Sequence, residues 1–323
     1  MARIAGVSGP TVSRVLNGRA GVASGTRQRV EAVLREHGYR RQEGRSSLAI
    51  VELVFHALES PWALDIIVGV EQVAREHEFA VVLTEMQGQL TPGRAWTEQV
   101  LERRPMGVIA VFSELTVAQQ SQLATRGIPL VVIDPTGEPM HETPSVGATN
   151  WSAGLGATRH LLTLGHRRIA MIRGPQSWPC CRARFDGYRA ALEAASLPVD
   201  PALTPVDILY VEGGLRAATA LLAQPEPPTA IFSTNDLQAF GVYEAARRAG
   251  LRIPDDLSVV GFDDISYAAW CGPPLTTVHQ PLADMGATAA RTLVTLAAGN
   301  QPKHPRVELT THLVIRESTA PPG

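Results

Sequence analysis

Polar and aromatic side chains in this 323-residue chain follow a series of short apolar segments. Asp134 ends PLVVID, Asn235 and Asp236 follow TAIFST, and Asp263 and Asp264 follow LSVVGF. Carboxylates and amides form hydrogen bonds with hydroxyl pairs, and aromatic faces pack on the apolar C–H face of a sugar ring. The aromatic candidates are Trp62, Trp151, Trp178 and Tyr210, and Thr84 and Glu85 follow one further segment. This combination predicts a site for a small polyhydroxylated molecule.

Several of these residues also fit a purely structural role. An Asn or Asp after a strand often caps the next helix, since its side chain accepts hydrogen bonds from free backbone N–H groups. For Asn235 and Asp236, capping and ligand binding are equally compatible with the sequence and can coexist. Asp264 is expected to order its own loop, so Asp263 is the better ligand candidate. The tryptophans fit core positions equally well.

The elements that would position these residues are strands alternating with helices. LAIVELVF, FAVVLT, GVIAVF and PLVVID form one series of strands, and RRIAMI, VDILYV, TAIFST and LSVVGF form a second. Nearly continuous apolar strands separated by helices indicate parallel sheets that are covered on both faces. The two series break near Asn150 and predict two similar α/β lobes. Ligands of such sheets bind beyond the carboxyl ends of the strands, which is where the candidates lie.

The amino-terminal segment differs in charge and pattern. Residues 1–47 contain nine arginines and three glutamates, a surplus of six positive charges, whereas the whole chain has a net charge of −2. A basic head on an acidic body is typical of a nucleic-acid binder, and a solvated basic tail is the alternative. Short helices are predicted within residues 1–38, one capped by Ser8 and another from about Ser24 to His37. Residues 40–47 (RRQEGRSS) are interpreted as a linker.

Other classes of protein find little support. The sequence has no GxSxG, GxxxxGK[ST] or HExxH motif, so no enzyme, metal site or cofactor is expected. Three cysteines without a CxxC spacing favour reduced thiols over metal or thiol chemistry. The chain has no apolar run of membrane-spanning length and no secretory signal, which predicts a cytoplasmic protein with no membrane partner.

The segment GVSGPTVSRVLNG (Gly6–Gly18) resembles the helix-turn-helix of the LacI/GalR family of bacterial transcription regulators. The resemblance continues in order through TRQRVEAVLREHGY, ATRHLLTLGHRRIAMI, RFDGYRAAL, STNDLQAFGVYEAARRAGLRIPDDLSVVGFDD and PPLTTVHQP. It therefore covers almost the whole chain, and together these segments are highly specific.

The resemblance implies a repressor that acts as a homodimer, with two heads reading a palindromic operator through major-groove helices. A sugar or short oligosaccharide would act as the effector, either as an inducer or as a corepressor. The recognition helix would begin at Ser8, with Arg14 and Asn17 contacting phosphates or base edges. The other groove-facing positions are Gly9, Pro10, Thr11 and Ser13. Gly9 and Pro10 cannot make bidentate base contacts, so base reading there is expected to be apolar or water-mediated.

The resemblance also implies a sensor of the periplasmic-binding-protein type I kind, with two Rossmann-like lobes. Its effector residues would be Trp62, Asp134, Arg184, Tyr210, Asn235 and Asp263. The expected domains are the head (1–38), the hinge (39–47) and the sensor (48–323). Lobe 1 would comprise 48–150 and 281–299, and lobe 2 would comprise 151–280 and 300–323. His279 is expected to pack where the chain crosses between the lobes.

Two features depart from the family pattern. Met1–Ile4 corresponds only to the last turn of the first head helix, which implies either an upstream start or a shortened head. The linker RRQEGRSS is short and contains no leucine for insertion into the minor groove, so arginine–phosphate contacts are expected instead. The principal alternative is a sugar-binding transport protein with the same two lobes, and an enzyme on this scaffold is a weaker one.

Overall fold

The computed structural model describes residues 2–16, 21–36, 49–58, 60–86, 88–113, 115–135 and 143–323. It divides the chain into two compact units, Met1–Ala49 and Ile50–Gly323. The linker expected at 39–47 lies outside the described residues.

The first unit contains two helices, α1 (Gly9–Leu16) and α2 (Ser24–Glu36). Apolar residues recur at helical spacing on α1, and they pack against apolar residues of α2 in a small buried cluster. The cluster consists of Ala5, Val12, Val15 and Val30.

The second unit is an α/β structure with two sheets, each forming the centre of one lobe. Lobe 1 begins with β1 (Ala49–Phe55), α3 (Pro61–His77), β2 (Phe79–Glu85), α4 (Arg94–Arg103), β3 (Gly107–Val111), α5 (Val117–Thr125), β4 (Leu130–Ile133) and β5 (Ser145–Ala148). Lobe 2 follows with α6 (Asn150–Thr163), β6 (Ile169–Ile172), α7 (Pro179–Ala194), α8 (Val211–Leu222), β7 (Ala230–Ser233), α9 (Asp236–Ala249), β8 (Ser258–Asp263) and β9 (Thr276–His279). The chain ends with α10 (Leu282–Ala297), β10 (Arg306–Leu309) and β11 (His312–Val314).

The sheet topology confirms the expected α/β class. The first sheet has the strand order β10-β5-β4-β3-β1-β2, and the second has the order β11-β9-β8-β7-β6. In the first sheet, each neighbouring pair in the run β10-β5-β4-β3-β1 is parallel. In the second sheet, the pairs in the run β9-β8-β7-β6 are also parallel, whereas β11 is antiparallel to β9. Core strands such as β3 and β7 are buried along their whole length, as expected for sheets covered by helices on both faces.

The chain crosses between the lobes three times. The crossings lie between β5 and α6, between β9 and α10, and between β10 and β11. Helix α10 belongs to lobe 1, because Met285 and Leu293 lie in the same apolar core as β1 and β3. A Cβ atom at Gly69 of α3 would lie 1.8 Å from the backbone oxygen of Ala283, so glycine is what allows α3 and α10 to approach so closely.

Three segments differ from the sequence expectation. Residues 300–323 were assigned to lobe 2, but β10 pairs with β5 in the first sheet, and the carboxyl-terminal segment reaches the second sheet only at β11. The segment VDILYV (206–211) was expected to be a strand, but it forms only a single bridge, at Val206. The side chain of Asp207 accepts a hydrogen bond from the backbone N–H of Ile208 and pairs with Arg216, and this local bonding takes the place of strand pairing. The short β5 was not expected, because a glycine interrupts its four residues.

Candidate ligand-binding cleft and DNA-binding head

A cleft lies in the second unit, at the carboxyl ends of strands from both lobes. Lobe 1 contributes residues that follow β1 and β3 and the first turns of α3 and α10. Lobe 2 contributes residues that follow β6, β7 and β8 and the first turn of α7. The lining residues include His56, Ser60, Trp62, Phe112, Trp178, Cys180, Cys181, Arg184, Leu209, Tyr210, Asn235, Asp263, Gln280 and Leu282.

One side of the cleft is aromatic and extends across both lobes. The Trp62 and Phe112 rings of lobe 1 lie 4.9 Å apart in an edge-to-face arrangement. Trp178 of lobe 2 reaches across the cleft, with its ring 5.2 Å from Phe112 and 5.9 Å from His56. These four residues, which we call the aromatic wall, offer flat apolar faces on which a sugar ring or another planar ring can pack.

The polar part of the cleft lining is organised around Arg184, which is buried on α7. Its Nε donates to Asn150 Oδ1 at 2.8 Å, and its Nη2 donates to Gln280 Oε1 at 2.9 Å. Its Nη1 donates to the backbone oxygen of Thr234 at 2.7 Å, and the guanidinium stacks 3.4 Å from the ring centre of Phe262. Four neighbours thus fix the plane of the guanidinium.

Asp263 supplies the carboxylate of the polar part. Its Oδ1 lies 3.7 Å from Arg184 Nη1, and within the described part of the chain no hydrogen bond reaches this carboxylate. Burial raises the pKa of Asp263 to about 7, although the Arg184 charge opposes the shift. The backbone there has φ of 107°, a conformation that costs about 1–3 kcal/mol in a residue with a side chain. A strained, buried carboxylate without a donor is well suited to accept ligand hydroxyls.

Asn235 combines both roles that the sequence left open. Its Oδ1 caps α9 by accepting from the backbone N–H of Gln238 at 2.9 Å, and its Nδ2 donates to the backbone oxygen of Leu209 at 3.0 Å. The second bond ties Asn235 to the segment that presents Tyr210 to the cleft. Asp236, by contrast, is purely structural, since it accepts from Thr277 and from the backbone N–H of Ile265.

The structure brings Trp62, Arg184, Tyr210, Asn235 and Asp263 together around the cleft. Asp134 was expected to face the same cleft, but it lines a separate cavity and contacts the cleft only through Gln280, whose Nε2 donates to it at 2.9 Å. Burial raises the pKa of Asp134 to about 6. The reason for the difference is that Gln280 stands between Asp134 and Arg184 and hydrogen-bonds to both.

Some lining residues were not anticipated from the sequence. Gln280 lies one residue after His279, within the quoted segment PPLTTVHQP, and a polar residue at a lobe crossing was the available signal. His279 itself is directed elsewhere, because its ring lies 3.0 Å from Asp264 and 4.9 Å from the His312 ring. Trp151 is outside the cleft and half exposed. Nothing in the pattern of the sequence distinguished Phe112 from a core phenylalanine.

The first unit contains a helix, α1, where the recognition helix was expected. Ser8 Oγ lies 2.8 Å from Thr11 Oγ1 at the start of α1, and Ser8, Gly9, Pro10 and Arg14 are exposed. Ser13 belongs to α1, and Asn17 lies outside the described residues. Arg14 is the single cation of α1.

Together, a two-lobed cleft lined by polar and aromatic residues and a separate helix-turn-helix unit define a ligand-responsive DNA-binding protein. The family model for "Bacterial regulatory proteins, lacI family" matches residues 1–42, and that for "Periplasmic binding protein-like domain" matches residues 158–319. The chain belongs to the lacI family of bacterial regulatory proteins. It is a DNA-binding transcription regulator with ligand-controlled activity.

Three relatives illustrate the match. The HTH-type transcriptional repressor CytR of Escherichia coli (strain K12) is 33% identical, over 97% of this chain and 93% of that protein. A transcriptional regulator CelR–cellobiose complex is similar with a TM-score of 0.75 and 32% identity, over 98% of each chain. The Lac repressor dimer bound to operator and the anti-inducer ONPF has a TM-score of 0.76 and 26% identity, over 99% of this chain and 97% of that one.

Among the residues that the structure describes, no helix is both long and apolar enough to cross a membrane. The same residues contain no group of three or more His, Cys, Asp or Glu side chains placed to hold a metal ion.

Proposed function

We propose that this protein represses transcription in the cytoplasm as a homodimer, by binding a palindromic operator, and that a neutral sugar or short oligosaccharide in the cleft controls its affinity for DNA. The choice of ligand rests on one observation. The polar groups of Arg184, Asn235 and Asp263 line the same cleft as the aromatic wall. Hydroxyl groups match these polar groups, and the apolar face of a pyranose ring matches the aromatic wall.

The charges that line the cleft favour a neutral ligand. Arg184 is largely committed to Asn150, Thr234 and Gln280, and it faces the acid Asp263. A phosphorylated sugar would bring two negative charges close to that buried carboxylate, which is unfavourable. CelR was solved with cellobiose, and this supports a disaccharide as the first ligand to test.

Arg184 also suggests how ligand binding would reach the rest of the sensor. Its partners Asn150 and Gln280 lie in two of the three lobe crossings, and Gln280 continues to Asp134 of lobe 1. A ligand that competes for Arg184 or Asp263 changes these hydrogen bonds and therefore the angle between the lobes. A coupling of about 1–3 kcal/mol is enough for regulation.

The homodimer is supported by exposed apolar side chains that a monomer would leave in water. Trp270 and Tyr267 are 86% and 60% exposed on lobe 2, and Leu64 and Val68 are exposed one turn apart on α3 of lobe 1. Patches of this kind commonly mark protein interfaces. We expect Trp270→Glu to yield monomers in sedimentation, whereas Arg248→Glu, on an exposed helix face, should leave the dimer intact.

Operator binding tests the proposal. The full chain would first be used to select a binding sequence from a random pool of DNA duplexes. The affinity of the chain for that DNA would then be measured by fluorescence anisotropy, with and without a panel of neutral mono- and disaccharides that includes cellobiose. At least one sugar should change the affinity of the native chain by about fivefold or more. Failure to select any DNA, or an affinity that no sugar changes, would refute the proposal. An increase in affinity would identify a corepressor, and a decrease would identify an inducer.

A further inference from the structure

Two adjacent thiols, Cys180 and Cys181, lie in the first turn of α7, and both line the cleft. Their side chains are almost completely shielded, with 5% and 3% of each residue exposed. The chain has only one other cysteine, Cys271, which is partly exposed outside the cleft and donates to the backbone oxygens of Ala268 and Pro273. Both thiols face the cleft, and Cys180 also lines the neighbouring cavity that contains Asp134.

The position of Cys181 is set by the backbone that follows β6. A Cβ atom at Gly174 would lie 2.6 Å from Cys181 Sγ, so the sulfur occupies space that a side chain at position 174 would take. Trp178 precedes α7 without a side-chain cap, which leaves the positive end of the helix dipole beside both cysteines. Thiols at helix amino termini are more readily ionised for this reason.

The two sulfurs differ in chemical state. A hydrogen bond from the Cys180 thiol lowers the pKa of Cys181, and the Arg184 charge one turn further along α7 acts in the same direction against the effect of burial. The same pairing, together with burial, raises the pKa of Cys180. Cys181 is therefore the more readily ionised of the two thiols.

A nucleophile beside stacked aromatic rings favours a particular class of reactant. Trp178 lies two residues before Cys180 and belongs to the aromatic wall with Phe112 and His56. We propose that the cleft also captures planar α,β-unsaturated carbonyl compounds, such as quinones or cyclic enones, through covalent addition to Cys181. This activity goes beyond the proposed carbohydrate response, which uses neither thiol.

The addition requires no partner beyond the two reactants and water. A lone pair of Cys181 sulfur forms the bond to the β-carbon, and the C=C π pair shifts toward the carbonyl to give an enolate. Arg184 stabilises that negative charge. The enolate carbon takes a proton from Cys180, and Cys180 regains one from water, which carries the proton that Cys181 released when it ionised. The product is a thioether, no group leaves, and no external oxidant is needed.

N-Ethylmaleimide is a suitable probe because it is a planar, cyclic, unsaturated carbonyl compound. The test uses the full chain with Cys271→Ser, and intact-mass measurement followed by peptide mapping over time, without any carbohydrate. We expect one adduct per chain, on Cys181, accompanied by quenching of Trp178 fluorescence. Cys181→Ser should abolish the adduct, whereas Cys180→Ser should retain it on Cys181 at a lower rate.

The proposal is overturned if an adduct forms only after the chain is unfolded in urea, if it forms on Cys180, or if the Cys181→Ser chain still acquires it. Unchanged thermal melting and DNA binding of each variant would show that it is folded. Because labelling is measured without carbohydrate, its outcome is independent of whether a sugar binds the cleft.

Discussion

The affinity of the cleft for its carbohydrate should decrease as the pH is lowered through 7. Asp263 is buried with a pKa of about 7, and only its ionised form offers two free acceptor oxygens to ligand hydroxyls. Ligand affinity should therefore follow the ionised fraction of Asp263. The charged and titratable groups that face it are Arg184, which lowers its pKa, and Asp134, which raises it.

The size of the effect follows from the pKa. With a value of about 7, roughly nine-tenths of Asp263 is ionised at pH 8 and roughly one-tenth at pH 6, so the association constant should fall about tenfold, or about 1.4 kcal/mol. Asp134, with a pKa of about 6, is still largely ionised at pH 7, so it contributes mainly below that pH.

Isothermal titration of the tightest-binding sugar at pH 6, 7 and 8 measures this change. Asp263→Asn is the matched control, because the amide keeps the shape of the side chain and does not titrate. Its affinity should be lower than that of the native chain at pH 8 and nearly constant from pH 7 to 8. An affinity of the native chain that does not change with pH, or an equal slope in Asp263→Asn, would refute the role given to this carboxylate.

Three further predictions concern stability and DNA binding. The raised pKa of Asp263 means that the folded, ligand-free chain binds more protons than the unfolded chain. The stability that this carboxyl contributes is therefore lost as the pH rises through 7. Between pH 6.5 and 8 the free energy of unfolding in urea titrations should fall by about 1 kcal/mol, and it should fall less in Asp263→Asn. Arg14→Ala should weaken operator binding by about 1–3 kcal/mol and leave sugar affinity unchanged. The control Arg94→Ala, on an exposed helix of lobe 1, should change neither. A loss of both activities in Arg14→Ala would point to misfolding. Gly69→Ala should destabilise the sensor by about 1–3 kcal/mol or more in the same titrations, since its Cβ would collide with Ala283, and a neutral effect would contradict the close packing of α3 on α10.

Much of this fold is predictable from its sequence, since buried parallel strands leave a clear pattern. The continuous apolar strands β3, β4 and β8 were recognised for that reason. Weaker segments were predicted less well. The four-residue β5, which contains a glycine, was missed, and Val206–Val211, which is apolar but only partly buried, was wrongly predicted to be a strand. The pairing of β10 with β5 joins segments far apart in sequence, and local patterns contain no information about such pairing.

The candidate site was predictable to the extent that strand ends converge. Asn235 and Asp263 follow strands, so their position at the cleft follows from topology alone. Asp134 also follows a strand, yet Gln280 separates it from the cleft, and only the packing of side chains decides this. Phe112 and Gln280 were missed because each contacts a residue of the other lobe, Trp178 and Arg184 respectively.

The link between the cleft and DNA affinity is tested most directly by comparing operator binding of the native chain and Asp263→Asn at pH 8, with and without the saturating sugar. The sugar concentration would be fixed at the level that saturates the native chain. The native chain should change its operator affinity by about fivefold or more, and Asp263→Asn should respond much less while binding the operator equally well in the absence of sugar. An equal response in both chains, or no response in either, would contradict the account.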